Sequence, residues 1–195
     1  LQEHYYALGK KFWGRWDYAD AHITAALSGA DLEPFGKYAS DPTASSDAAR
    51  KQMVKKLAAY TAVRDYAVHE VESALVKYGD ESLGEARFMP GGAAHAWDEW
   101  WAMYVGSLED GGNEAGEKDG EGKGYGPYLL GEKRAPGFGT SGKIIGNGGA
   151  SKVNWNLMFA AHAGQRLLQS PGNAEKLKGV AQCVRAVSIV PSIQG

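Results

Sequence analysis

An all-α fold is what this chain predicts: a bundle of about five to six helices with one long Gly-rich loop. Three observations carry that reading. Apolar residues recur at spacings of three and four through most of the chain. Gly, Pro, Ser and Asp stand where such stretches would start or stop. No segment alternates in the manner of a strand. With 195 residues, 44% hydrophobic and 23% charged, the chain suits a single domain over 1–195 with a sizeable core. A net charge of −2 gives nucleic acid or a membrane surface no hold through charge alone.

The elements follow in order. From Tyr5 to Ser28 the pattern reads as one helix or a broken pair, with Gly14 as the break and Gly29 as the stop. Residues 29–46 hold Pro34 and Pro42 among Gly, Ser and Asp, which predicts a loop. Ser46 or Asp47 then caps a long helix running to about Tyr78 and ended by Gly79. Its apolar stripe is Val54, Leu57, Thr61, Val68, Val71, Leu75 and Tyr78, and Arg64 falls on the same stripe. That arginine needs a carboxylate partner if it is buried. Pro90-Gly-Gly precedes a helix from about Ala93 to Ser107. The stretch 109–126 is rich in Gly, Glu and Lys and reads as a surface loop. Tyr128 to Arg134 suits a short helix before a second Gly-rich stretch to Gly149, and two last helices span Ser151–Gln169 and Asn173–Val190. Cys183, the single cysteine, lies in an apolar helical pattern. A buried, inert thiol is expected there, with a reactive or intermolecular thiol as the alternative.

Two clusters carry chemistry. In His95-Ala-Trp-Asp-Glu-Trp-Trp101, His95, Asp98 and Glu99 share a helical turn amid Trp97, Trp100 and Trp101. Aromatics bury large areas, and a charge among them needs a partner, a proton or a metal. The plainer reading pairs Asp98 or Glu99 with a Trp indole, Arg64 or Arg134. Upstream, Asp65, His69 and Glu72 fall at spacings of four and three and share a face if the segment is helical. His-x-x-Glu offers an imidazole and a carboxylate to one metal, although a satisfied histidine or an exposed ion pair gives the same pattern. Asp65 would be a ligand or would orient the ring. Glu70 sits about 100° round the helix from His69 and is expected to face solvent or a second partner. The sharp expectation is that His69 and Glu72 on one helix meet His95 and Glu99 on another at a common point, in a site of N and O ligands for a transition metal.

Other candidates are softer. Asp17 and Asp20 follow Trp13 and Trp16 and suit a helix surface; His22 and His162 are lone histidines with structural roles. Glu132-Lys-Arg134 reads as an internal salt bridge, with anion capture as the alternative. Gly137-Phe-Gly-Thr-Ser-Gly142 lacks the Gly-Lys-Ser/Thr ending and the preceding strand of a phosphate loop. No apolar run approaches the roughly 20 residues needed to span a bilayer.

At these residues the chain resembles the algal iron-assimilation proteins, also described as low-iron-inducible or high-CO2-inducible periplasmic proteins. The matching text is Tyr66-Ala-Val-His-Glu70, His95-Ala-Trp-Asp-Glu99 continuing to Tyr104-Val-Gly-Ser-Leu108, Leu129-Leu-Gly-Glu-Lys-Arg134 and Val190-Pro-Ser-Ile-Gln-Gly195. It runs from about residue 12 to the end. His69-x-x-Glu72 is also similar to a motif of the helical imelysin-like proteins, which are linked to iron uptake. The resemblance implies a secreted or periplasmic helical protein assisting iron acquisition, and a mature chain with its leader removed, in keeping with a first residue that is not Met. Carried over by position, it favours His69, Glu70, His95, Asp98, Glu99 and Glu132 as metal ligands; Asp65 and Glu72 come from the helical pattern instead. Family members carry further cysteines near the Glu-Lys-Arg segment, where this chain has Ala135-Pro136, and continue past the position of Gly195, so a further terminal helix is expected.

The expected function is therefore extracytoplasmic, non-enzymatic iron binding, with a protein partner at the cell surface as a further expectation and zinc or manganese as the other metals such donors suit. A metal-dependent oxidoreductase of the ferroxidase kind would use the same ligands around an open position. A metal-free interaction subunit would keep the fold alone.

Overall fold

The computed structural model describes residues 2–30, 45–106, 126–142 and 151–195, without the side chains of 2–6, 8, 61 and 62. Among the described residues every regular element is helical, and the one β-like feature is an isolated antiparallel bridge between Ser141 and Ser151. The fold is all-α, as the periodicity predicts. The chain divides into two compact units, Leu1–Asp65 and Tyr66–Gly195.

The first unit contains α1 (Gln2–Trp13), α2 (Tyr18–Ser28) and α3 (Asp47–Leu57). The expected break between α1 and α2 falls at Gly14, whose φ of +81° is readily adopted only without a Cβ. Gly29 ends α2 by donating its N–H to the Ala25 carbonyl at 2.9 Å. Ser46 caps α3, its hydroxyl accepting the Ala49 N–H at 3.3 Å. The loop expected between them falls mostly on 31–44, outside the described residues. Tyr18, Ala25 and Ala26 are the buried residues of α2.

The long helix expected from Asp47 to Tyr78 is present but not uniform. Ala58–Val63 form a π-helical segment before α4 (Arg64–Gly79). A π turn takes more residues than an α turn, so it rotates the faces on either side against each other. The single apolar stripe drawn from Val54 to Tyr78 at constant period is thus two stripes.

The second unit holds most of α4, then a 3-10 helix (Glu81–Phe88), α5 (Ala93–Val105), α6 (Gly126–Arg134), α7 (Lys152–Leu167), α8 (Ala174–Ser188) and α9 (Val190–Gln194). The 3-10 helix was not expected. It begins at Asp80, whose carboxylate accepts the Ser82 N–H at 3.0 Å, and its eight residues bury none of their own, so no apolar period announces it. The two Gly-rich loops fall mainly on 107–125 and 143–150, outside the described residues.

The core of this unit joins Val71, Ala74 and Tyr78 of α4 to Trp97, Trp100 and Tyr104 of α5, Leu157 of α7, and Leu177, Ala181 and Val184 of α8. The Trp97 indole N–H donates to the Ala161 carbonyl at 2.9 Å. Gly164 makes that approach possible, since a Cβ there would stand 2.1 Å from the Trp97 ring. The Tyr78 hydroxyl ties the α7–α8 turn, donating to the Ser170 carbonyl at 2.8 Å and accepting the Asn173 N–H at 2.9 Å. On α8 the buried face is Leu177, Ala181, Val184 and Ser188. Cys183 lies one residue, about 100°, off that face, and its thiol is exposed rather than buried as expected.

Candidate metal centre

Helix α5 sorts its residues by angle. Ala93, Ala96, Trp97, Trp100 and Tyr104 point inward and are buried. His95 lies two residues from Trp97, on the opposite side of the helix, and its side chain is 59% exposed. The tryptophans therefore do not bury the neighbouring acids, as the sequence suggested; they anchor the helix and turn its polar face to solvent. On that face His95 Nε2 stands 3.4 Å from Glu99 Oε1, the i,i+4 contact expected of this spacing. Asp98 is also exposed, and its Oδ1 accepts from Gln165 Nε2 of α7 at 3.4 Å. Partial desolvation lifts the Asp98 carboxyl above the usual carboxylate range, against the opposing pull of His95.

Helix α4 behaves differently. Ala67, Val68, Glu70, Val71, Glu72, Ala74 and Tyr78 are all buried, which leaves it little free face. Glu70, expected to face solvent or a second partner, is 5% exposed, because burial here does not follow one stripe. Its Oε1 lies 3.8 Å from His69 Nε2, and that nitrogen is 3.3 Å from the Ser73 hydroxyl. Glu72, equally buried, is bound by the Arg185 guanidinium of α8. Asp65, the last residue of the first unit, accepts the Tyr18 hydroxyl at 2.7 Å and pairs with Arg64 at 3.0 Å. Arg64 thus has the carboxylate its stripe position demanded.

Glu132 forms no ion pair with Lys133 or Arg134, the internal salt bridge expected of it, among the described residues. Its two oxygens accept the Ser151 N–H at 3.1 Å each, and Oε1 accepts the Asn154 amide at 2.6 Å. Asn154 in turn donates to the Tyr128 carbonyl at 2.9 Å and accepts the Tyr104 hydroxyl at 2.7 Å. This network ties α5, α6 and the start of α7 together, and sequence reasoning missed it: Asn154 carries no motif, Tyr104 stood out only as part of a family-like segment, and only the fold brings them together. Burial, with Tyr128 and Glu132 adding to it, keeps the Tyr104 hydroxyl protonated far above the ordinary tyrosine range. Tyr128 is raised for the same first reason, then by Glu132.

The candidate ligands therefore end in separate places. Among the described residues no three His, Cys, Asp or Glu side chains form a group able to hold a metal ion. The common point expected for His69, Glu72, His95 and Glu99 is not formed: one pair faces into its helix's packing, with Glu72 taken by Arg185, and the other faces solvent. The softer candidates keep structural or surface positions. His22 Nδ1 is 2.7 Å from the Tyr18 carbonyl, Asp17 pairs with Arg15 on the surface, and His162 is exposed on α7. No helix among the described residues is long and apolar enough to cross a membrane.

Compared with known proteins, the chain matches no family model, no curated protein and no solved structure.

Proposed function

We propose that this chain is an extracytoplasmic iron-binding protein that assists iron acquisition, taking iron as cargo at the His95–Glu99 pair. The observation that carries the reading is an imidazole nitrogen and a carboxylate oxygen 3.4 Å apart on one exposed helical face, inside the segment most like the iron-assimilation proteins. Both donor types suit iron. The helix is held by Trp97 and Trp100, which are 1% and 0% exposed, so the pair is presented on a rigid element. Two side-chain donors fit an ion that keeps water or another chelator on its remaining positions. They do not fit a closed structural site. Such a site captures and releases, and acid weakens it because protons compete for its donors.

The test is metal content by mass spectrometry after iron is supplied, followed by removal of free metal. Wild type and His69→Ala should retain iron, whereas His95→Ala/Glu99→Ala should lose it, with helical circular dichroism unchanged. No iron on wild type, or equal iron on the double variant, overturns the proposal. Oxygen consumption with ferrous iron distinguishes the classes: a carrier binds and stops, a ferroxidase turns over.

A further inference from the structure

The corner between α1 and α2 carries a second, unrelated feature. Its sequence is Lys10-Lys-Phe-Trp-Gly-Arg-Trp16, three cations interleaved with three aromatic rings around the positive-φ Gly14. Trp13 turns inward, stacked 6.4 Å from Tyr18 and edge-on to His22 at 4.8 Å. That packing fixes the corner to its own unit. Phe12, its ring 4.8 Å edge-on from Trp13, and Trp16 are 59% and 53% exposed. The Lys10 ammonium lies 4.7 Å from the centre of the Trp16 ring, so cation and aromatic share one surface.

The charges at the corner are not evenly matched. Arg15 is paired with Asp17, and Asp20 follows, exposed, in the first turn of α2. No described carboxylate forms an ion pair with Lys10 or Lys11. The chain's net charge of −2 conceals this, because charges more than about 10 Å away are largely screened at ordinary salt. What an approaching surface meets here is two ammonium groups that no described carboxylate pairs, beside two exposed rings.

We propose that this corner is a peripheral docking site for an anionic phospholipid surface. Aromatic rings with an adjacent polar partner settle at headgroup depth. Lysine stems lie along apolar surface while their ammonium groups stay at the phosphates, and an anionic leaflet attracts each nearby cation. An uncharged apolar pocket would use the rings and leave the lysines idle; an acidic soluble chain would use the lysines and leave Phe12 in water. An anionic bilayer surface engages both. The mode is adsorption, since no described helix is able to span.

The experiment is co-sedimentation of the full chain with phosphatidylcholine vesicles, with and without phosphatidylserine, alongside the shift in tryptophan emission. Two lysines predict partitioning about 30-fold stronger with the anionic lipid, falling as salt is raised. Phe12→Ala/Trp16→Ala should lower binding to both vesicle types at least roughly tenfold. Lys10→Gln/Lys11→Gln should abolish the increment from phosphatidylserine while leaving circular dichroism unchanged. Trp155→Ala/Phe159→Ala, which removes an exposed aromatic pair on α7, should bind like wild type, and so should His95→Ala/Glu99→Ala, which separates this inference from iron capture. Equal binding to both vesicle types, equal binding by the corner variants, or binding to heparin without binding to vesicles would each overturn it.

Discussion

At the scale of single residues, neighbours in sequence meet different fates on α4. His69, Glu70 and Glu72 lie within one turn, yet His69 is beside Ser73, Glu70 is buried against His69, and Glu72 is held by Arg185 from 113 positions away. The Glu72 side chain is 9% exposed, so removing its partner strands a carboxylate. Arg185→Ala should cost about 2–3 kcal/mol in chemical denaturation, and Arg185→Ala/Glu72→Gln should recover part of it. Tyr104 makes a second case. Tyr104→Phe leaves the buried Asn154 oxygen without its donor and should cost about 1–3 kcal/mol. The same residue shapes the response to alkali. Tyr104 and Tyr128 hold their protons above the usual value near 10 when folded and release them near it when unfolded. Above about pH 10 the folded state therefore binds more protons, and stability falls as pH rises. Denaturation across a pH series should show that fall, and Tyr104→Phe should make it shallower.

At the scale of elements, starts and stops were legible because they are local. Ser46 caps α3, Gly29 closes α2 and Ser151 opens α7 through single hydrogen bonds to nearby backbone. Ser46→Ala should accordingly cost about 1 kcal/mol, read as a shift in denaturation midpoint. Orientation was less legible. On α5 the tryptophans face inward and His95 outward because residues two apart lie on opposite sides, which the clustering of residue types disguises. Helix contact adds a constraint no periodicity contains: Trp97 packs onto the backbone at Gly164. Gly164→Ala should destabilise by about 2–3 kcal/mol, more than an ordinary helical Gly→Ala change, whose sign is favourable. A raised denaturation midpoint for Gly164→Ala would contradict the close approach.

At the scale of the molecule, burial is unevenly shared. The continuous core of large apolar side chains lies in Tyr66–Gly195, while the described buried residues of α1 to α3 are Tyr18, Ala25 and Ala26. Local opening is easiest where few apolar contacts must break. Native-state hydrogen exchange should find the slowest amides in α5, α7 and α8, and faster exchange in α2 and α3. Exchange as slow in α3 as in α5 would show that burial within the described residues does not govern local stability here.

The all-α class, most helix boundaries and the His95–Glu99 contact were determined by the sequence itself, because each depends on residues a few positions apart. The partner of Glu72, the burial of Glu70, the exposure of Cys183 and the Glu132–Asn154–Tyr104 network were decided only by tertiary structure. Each depends on which helix lies against which face. The expected four-ligand centre failed for that reason: helical spacing aligns side chains along one helix, but only packing turns two helices' donors toward a shared point, and here it turns them apart.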